Sequence, residues 1–315
     1  MAGWVLWAEH HQAALYLAAL ALGAVVGLAL PQCAGAFEAA VNPVLVSLLY
    51  ATFLGVPMAR LREAFADGRF MAAILAVNFL IAPLVVLILS RPLADAPALL
   101  VGALLVLLAP CVDYVMVFTR LAGGAWSRIL AASPALMLLQ IIMLPLWLTA
   151  LAGGTTISWR PFAWAFVLMI LTPLGLSALT QWASERWRRA ARLQEGATAL
   201  MVPLMMATLA TVVASQTDAV SARPGLLARL VPIYLLYALI MPAVGEGVGR
   251  LLGQDAASRL ALAFSGTTRN SLVVLPLALA LPPGMEPAAI AVVAQTLVEL
   301  VVMVVCTRVL PRLIR

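Results

Sequence analysis

Long apolar segments separated by short loops are the feature that most constrains the fold of this chain. The 315 residues are 64% hydrophobic and only 10% charged, whereas a soluble globular protein carries about 25% charged residues. A helix of about 20 apolar residues crosses the hydrocarbon core of a bilayer. The sequence therefore predicts an all-α membrane protein with one transmembrane domain over 1–315. Its ten transmembrane helices are expected at about 13–30, 41–59, 70–89, 98–119, 130–152, 158–180, 197–215, 227–249, 258–281 and 287–309.

The arginines indicate how these segments are oriented. All 19 basic residues are arginine, and 14 of them fall in loops on the face that holds the N-terminus. Cytoplasmic loops of membrane proteins are enriched in basic residues. We therefore expect a multi-pass protein of a bacterial-type inner (plasma) membrane, with both termini in the cytoplasm. One arginine, Arg269, lies inside a segment, and the four on the other face are Arg91, Arg160, Arg223 and Arg229.

The two halves of the chain resemble each other at a constant spacing. The third segment reads NFLIAPLVV from Asn78, and the eighth reads YALIMPAVG from Tyr237, with four identities at an offset of 159. Pro43 and Pro203, which open the second and seventh segments, match at an offset of 160. Each repeat, about 1–155 and 156–315, would contain five segments. Because five is odd, the second copy would be inverted in the membrane, as in many secondary transporters.

Two corresponding segments are interrupted by polar residues. The fourth contains LLAPCVDYVMVFTR from Leu107 and the ninth contains FSGTTRNSLVVLP from Phe264; the offset relates Pro110 to Arg269. Proline and glycine interrupt helices, and irregular backbone at membrane depth is tolerated where it lines a cavity. We predict that helices 4 and 9 are broken, that they cross, and that they bind substrate or ions. The candidate residues are Asn78, Pro110, Cys111, Asp113, Thr267, Thr268, Arg269, Asn270, Ser271 and Glu299.

Three charged residues, Asp113, Arg269 and Glu299, lie away from the ends of their apolar segments. A charge at the centre of a membrane helix costs about 2.5–3.5 kcal/mol on insertion scales, so Asp113 and Arg269 are expected to form an ion pair or a short polar network. The pair would either hold the two broken helices together or take part in the transport cycle. Burial raises the proton affinity of a carboxylate, so Glu299 would either carry a proton or form a hydrogen bond to the ninth helix.

Cys111 also has two interpretations. A lone cysteine often behaves as a small buried hydrophobic residue, but a thiol beside an unwound helix and a carboxylate is suited to a soft, thiophilic substrate. The three cysteines, Cys33, Cys111 and Cys306, show neither disulfide nor zinc spacing. No cofactor and no resident metal is expected. The expected partners are a small molecule, protons and the lipid bilayer, with no nucleic acid; the sequence makes no prediction about oligomeric state.

At these residues the chain resembles the arsenite efflux permeases of arsenic resistance systems, within the bile acid/sodium symporter superfamily. APC followed by an apolar run ending in VF resembles their fourth-helix signature, and RNSLVV resembles the superfamily's motif on the second crossover helix. The resemblance implies a core domain of spans 3–5 and 8–10 and a panel domain of spans 1, 2, 6 and 7. It also implies that substrate binds at the crossover and moves by an elevator-like or rocking shift, and that Cys111 is functionally required.

The chain departs from the family pattern at two places. The glutamate that arsenite permeases carry in the ninth helix corresponds to about Leu272, and the glutamate and glutamine of sodium-coupled members correspond to about Ser265 and Arg269. A guanidinium does not deprotonate, and it would repel Na⁺ from that position. These differences argue against the usual sodium site.

Two transport functions and one non-transport function are therefore compared. The first is proton-coupled efflux of an arsenite- or antimonite-type metalloid, with Cys111 as a soft contact and Asp113 or Glu299 as proton carrier. The second is an organic-anion transporter, in which Arg269 attracts a bile-acid-like molecule or another carboxylate. The third is a membrane sensor or scaffold. An enzyme is not expected, and the sequence lacks the phosphate-binding GxxxxGK[ST] motif of an ATPase.

Overall fold

The computed structural model shows a helical protein. It describes residues 3–55, 67–112, 115–151, 164, 167–221 and 224–314. Within these ranges there is no β-strand, and the single isolated β-bridge joins Pro110 and Arg269. The α-helices are α1 (Gly3–His10), α2 (Gln12–Ala29), α3 (Ala34–Gly55), α4 (Gly68–Ala76), α5 (Ala82–Leu89), α6 (Pro97–Leu107), α7 (Val115–Leu121), α8 (Trp126–Leu151), α9 (Thr172–Ser184), α10 (Arg188–Ala199), α11 (Met201–Ser221), α12 (Pro224–Leu251), α13 (Ala256–Thr267), α14 (Ser271–Leu279) and α15 (Pro287–Leu313).

Two π-helical turns supplement these helices. Val77–Ile81 joins α4 to α5, and Val167–Leu171 precedes α9. Single π turns inside helices are frequent at functional sites. The first of them carries Asn78, one of the candidate site residues.

The chain divides into two compact units. One comprises Met1–Val56 and Ser158–Pro224, and the other comprises Pro57–Ile157 and Gly225–Arg315. In the first unit α11 packs against α2 and α3, and α9 packs against α3. In the second unit α15 packs against α6 and α14. This division follows the panel and core domains that the resemblance implies, and every described candidate site residue belongs to the second unit.

Among the described residues, five helical stretches are long and apolar enough to cross a bilayer. A sixth is added if the bent pair α10–α11 counts as one span, and Ala14–Ala29 and Pro97–Leu107 are shorter apolar helices. The helical membrane fold is therefore confirmed, while the ten-span inverted repeat stays a prediction. The five stretches are Pro31–Gly55, Gly68–Leu89, Trp126–Leu151, Pro224–Leu251 and Pro287–Leu313.

Large apolar side chains point outward along these helices. Leu239 on α12 is 73% exposed, and Leu80 and Ile88 are 62% and 65% exposed. Large apolar side chains exposed to water would favour aggregation, whereas lipid tails can solvate them. The outer surface of the helices is thus suited to a bilayer.

Gly245 allows α12 to approach α13 closely. A Cβ atom at this position would lie 2.6 Å from the main-chain nitrogen of Ala263 and from the carbonyl of Leu262. Both are backbone atoms, which cannot rotate away from the added methyl group. The close contact fixes α13, whose C-terminal end leads into the ninth-segment candidates, against α12.

We predict that Gly245→Ala destabilises the protein and that Gly247→Ala does not. Overpacking of a well-packed contact costs about 1–3 kcal/mol, whereas a Cβ at Gly247 would meet nothing within 4 Å. The measurement is the thermal unfolding midpoint of each purified variant in detergent. Equal midpoints for the two variants would contradict the described packing of α12 on α13.

Candidate functional site

Two helix breaks face each other in the second unit. After α6 ends at Leu107 the chain is non-helical through Val112, and between α13 and α14 it is non-helical from Thr268 to Asn270. Pro110 lacks a main-chain N–H, so it cannot donate an intrahelical hydrogen bond, and it favours a kink or break at this position. At the second break the Asn270 side chain accepts a hydrogen bond from the Val273 N–H and caps α14. Both breaks therefore have local causes in the sequence.

The two breaks are joined by a short antiparallel bridge. The Asn270 N–H donates to the Ala109 carbonyl at 2.8 Å, and the Cys111 N–H donates to the Thr268 carbonyl at 3.3 Å. The repeat offset of 159 relates Cys111 to Asn270 and Ala109 to Thr268. The two hydrogen bonds of the bridge are therefore equivalent under the repeat: each becomes the other when the two halves are interchanged. The bridge is thus locally two-fold symmetric in both sequence spacing and hydrogen bonding.

The guanidinium of Arg269 is fully buried beside this bridge. Its Nη2 donates to the amide oxygen of Asn78 at 2.8 Å and to the carbonyl of Ser265 at 2.9 Å. The carbonyl of Gly266 also accepts from Nη2, and the carbonyl of Leu107 accepts from Nη1 at 3.4 Å. A buried charge is tolerated only when hydrogen bonds replace its hydration. Four protein oxygens do so here, and we call them the oxygen ring.

Asn78 and Tyr237 attach the second break to the neighbouring helices. Asn78, in the π turn, donates to the Ile74 carbonyl at 2.9 Å and to Ser265 Oγ at 3.0 Å. The Tyr237 hydroxyl donates to the Gly266 carbonyl at 3.0 Å, and its ring centroid lies 5.4 Å from the guanidinium carbon of Arg269. The offset of 159 relates these two residues, and both contact the same break.

Glu299 contacts the backbone of the second break rather than being isolated in an apolar helix. Its Oε2 accepts a hydrogen bond from the Arg269 main-chain N–H at 2.9 Å and another from the Gln295 side-chain amide. Of the two alternatives for Glu299, the hydrogen bond to the ninth segment is observed. Protonation of this carboxylate would weaken its hydrogen bond to the Arg269 N–H. The charge of Glu299 therefore affects the conformation of the break.

A small cavity borders Glu299. It has a volume of about 10 Å³, which is near the minimum for one water molecule. Gln295 is 3% exposed, and its Oε1 has no hydrogen-bond partner among the described residues. The cavity therefore presents polar groups that can receive a water molecule or a proton. It is lined by Leu107, Tyr234, Tyr237, Ala238, Thr267, Gln295, Val298 and Glu299.

The remaining ninth-segment candidates are buried close to the break. Thr267 Oγ1 donates to the Ala263 carbonyl and Thr268 Oγ1 to the Phe264 carbonyl, each at 2.7 Å. Ser271 Oγ is buried without a hydrogen-bond partner in the described part of the chain. The threonine hydroxyls thus stabilise the end of α13, whereas the serine hydroxyl remains available at the start of α14.

The fourth-segment candidates are described only in part. Pro110 forms the bridge, and Cys111 is fully buried beside it. Asp113 lies outside the described residues, so its expected pairing with Arg269 stays a prediction. Sequence reasoning did not include Ser265 or Tyr237 in the site. The repeat offset, which pairs Tyr237 with Asn78, was the signal that could have identified the tyrosine.

No metal-binding cluster is found in the described part of the chain. Within those ranges no group of three or more His, Cys, Asp or Glu side chains could hold an ion. The described site consists of one fixed cation, one carboxyl group, one thiol and several hydroxyl, amide and carbonyl groups. This set suits binding and proton exchange.

Polar residues gathered at paired helix breaks are typical of secondary transporters. The chain matches the Sodium Bile acid symporter family over residues 42–223, more than half of its length, and it belongs to this family. It is therefore a multi-pass membrane transporter, and its family consists of transporters, not enzymes. The match includes the first break and ends before the second. No curated protein matches the chain.

Proposed function

We propose that this protein is a proton-coupled secondary transporter that exports an arsenite- or antimonite-type metalloid. In this proposal ten spans form two inverted five-helix repeats, and the substrate binds where the broken fourth and ninth helices meet. The local symmetry of the bridge supports the repeat, because the offset that aligns the two halves also exchanges the two bridging hydrogen bonds.

One observation carries the choice of an uncharged substrate. Arg269 donates to four protein oxygens and is fully buried. A substrate carboxylate would have to compete with these oxygens for the guanidinium, and each acceptor left buried without a donor would cost about 1–3 kcal/mol. The trihydroxides of arsenic and antimony are uncharged at neutral pH. They need hydrogen bonds and a soft ligand rather than a counter-ion.

Cys111 provides the soft contact in this proposal. It lies at the first break, where its main chain belongs to the bridge. Thiolate and thiol sulfur bind soft metal and metalloid centres more strongly than oxygen ligands do. Hydroxyl and amide groups from the second break, such as Ser271, would hydrogen-bond to the hydroxyl groups of the substrate.

Glu299 is the proposed proton carrier. Its Oε2 accepts hydrogen bonds from the Arg269 N–H and from the Gln295 amide. A carboxyl group can take up and release a proton as its surroundings change during transport. The adjoining cavity has room for about one water molecule, which could exchange a proton with this carboxyl group.

An organic anion is the second candidate substrate. The name of the matching family refers to bile acids and sodium, and α14 begins at the break with the buried Ser271 hydroxyl. Helix N-termini attract anions. In this alternative Arg269 would exchange its carbonyl partners for the substrate carboxylate, and uptake of a labelled bile acid would require the arginine.

Cys111→Ser should greatly weaken arsenite transport, whereas Cys306→Ser should not. Serine keeps the size and the hydrogen bonding but removes the soft ligand. Cys306 is also buried, on α15, and serves as the matched control. The measurement is arsenite accumulation in everted membrane vesicles with and without an imposed pH gradient. Full arsenite transport by Cys111→Ser would contradict the metalloid role of the thiol and favour the organic-anion candidate.

Glu299→Gln should abolish transport driven by a pH gradient while leaving the protein folded. The glutamine carbonyl can still accept the Arg269 N–H, but the amide cannot take up a proton. The measurement compares gradient-driven arsenite uptake with arsenite exchange at equal pH in the same vesicles. Glu38→Gln, at an exposed position of α3, is the control. Retained gradient-driven uptake in Glu299→Gln would exclude this residue as the carrier.

A further inference from the structure

The oxygen ring around Arg269 has the composition of a cation-binding site. It contains three main-chain carbonyls, those of Leu107, Ser265 and Gly266, together with the side-chain amide oxygen of Asn78. Carbonyl and amide oxygens are the ligands that hard cations take in proteins. At broken membrane helices such carbonyls coordinate the coupling ions of secondary transporters.

The geometry of the helix ends makes these carbonyls available. Leu107 is the last residue of α6, while Ser265 and Gly266 lie in the last turn of α13. The last four carbonyls of a helix lack intrahelical donors, and the helix dipole places partial negative charge there. Two helix C-termini therefore direct negative potential at one position, and the guanidinium of Arg269 occupies it.

We propose that the oxygen ring is a monovalent-cation site that this protein fills permanently with its own guanidinium. The cation is covalently attached and does not deprotonate, so it cannot be taken up and released in each cycle. Removal of the Arg269 side chain creates a vacant site for a free guanidinium ion or for Na⁺. This inference goes beyond the proposed function, because it concerns which cation the ring binds and not which substrate is moved.

Two described neighbours of the ring, Glu299 and Tyr237, favour a cation. Glu299 is 3% exposed and accepts the main-chain N–H of Arg269. The ring of Tyr237 adds the negative face of an aromatic system, which attracts cations. If Arg269 were removed, the three carbonyls, the Asn78 amide and these neighbours would remain in place. They would then lack the cation that they stabilise.

The test measures the thermal unfolding midpoint, Tm, of purified full-length protein with NaCl, guanidinium chloride or choline chloride at matched low ionic strength. Wild-type protein should show equal Tm values in the three salts. Arg269→Ala should melt lower than wild type in choline chloride, and its Tm should rise in a saturable manner with guanidinium and with Na⁺, because a ligand that binds only the folded state stabilises it.

Two variants separate the ring from general salt effects. Arg259→Ala removes another partly buried arginine, one that pairs with Glu246 at 2.8 Å, and it should show no cation-specific rise. Asn78→Ala combined with Arg269→Ala removes one oxygen of the ring and should reduce the rise. An Arg269→Ala protein with equal Tm in all three salts would overturn the proposal, as would a wild-type protein with the same cation response.

Arg269→Lys keeps the test decisive if the alanine variant does not accumulate. The lysine ammonium is also a tethered cation, so this variant should accumulate, melt above Arg269→Gln in choline chloride, and show no response to Na⁺. A lysine variant that fails to accumulate, or one that requires Na⁺, would contradict the proposal. This test measures Tm and not transport. A failure to observe arsenite transport would therefore leave the cation-site proposal untouched, and a failure of the cation test would leave the proposed transport function untouched.

Discussion

The enclosure of one guanidinium by protein oxygens is the interaction on which the described site depends. Arg269 lies at a break in the ninth apolar segment and donates to oxygens of α6, α13 and the π turn that carries Asn78. Without these acceptors a buried positive charge would be costly in a membrane protein. With them, the charge joins three helical segments and holds the two breaks against each other.

The same arrangement links the break to the proposed coupling group. The main-chain N–H of Arg269 donates to Glu299, while its side chain fills the oxygen ring. A change in the protonation of Glu299 therefore acts directly on the residue that fixes the break. Transport proteins need such a connection between an ion or proton site and a movable segment. The two-fold symmetric bridge also places Cys111 next to this break. A substrate bound at the thiol would therefore lie close to the residues that Glu299 contacts.

The helical fold and much of the site could be predicted from the sequence. Apolar segment lengths predicted the helices, and the polar residues around Pro110 and Arg269 predicted both breaks. The described acceptors of Arg269 could not be predicted as a set, because three of the four are main-chain carbonyls, which no residue type marks. The pairing with Asp113 that the sequence suggests lies outside the described residues and stays a prediction. Helix α10, in an arginine-rich stretch assigned to a loop, was also not predicted.

The most direct test of the central interaction is a double-mutant cycle between Asn78 and Arg269. Apparent unfolding free energies are measured for wild type, Asn78→Ala, Arg269→Gln and the double variant; Asn78→Ala with Arg312→Gln, at an exposed residue of α15, is the control cycle. Residues in one hydrogen-bond network couple by about 0.5–3 kcal/mol. We predict coupling of at least about 1 kcal/mol for Asn78 and Arg269 and none for the control. Additivity within about 0.3–0.5 kcal/mol for both cycles would contradict the oxygen ring.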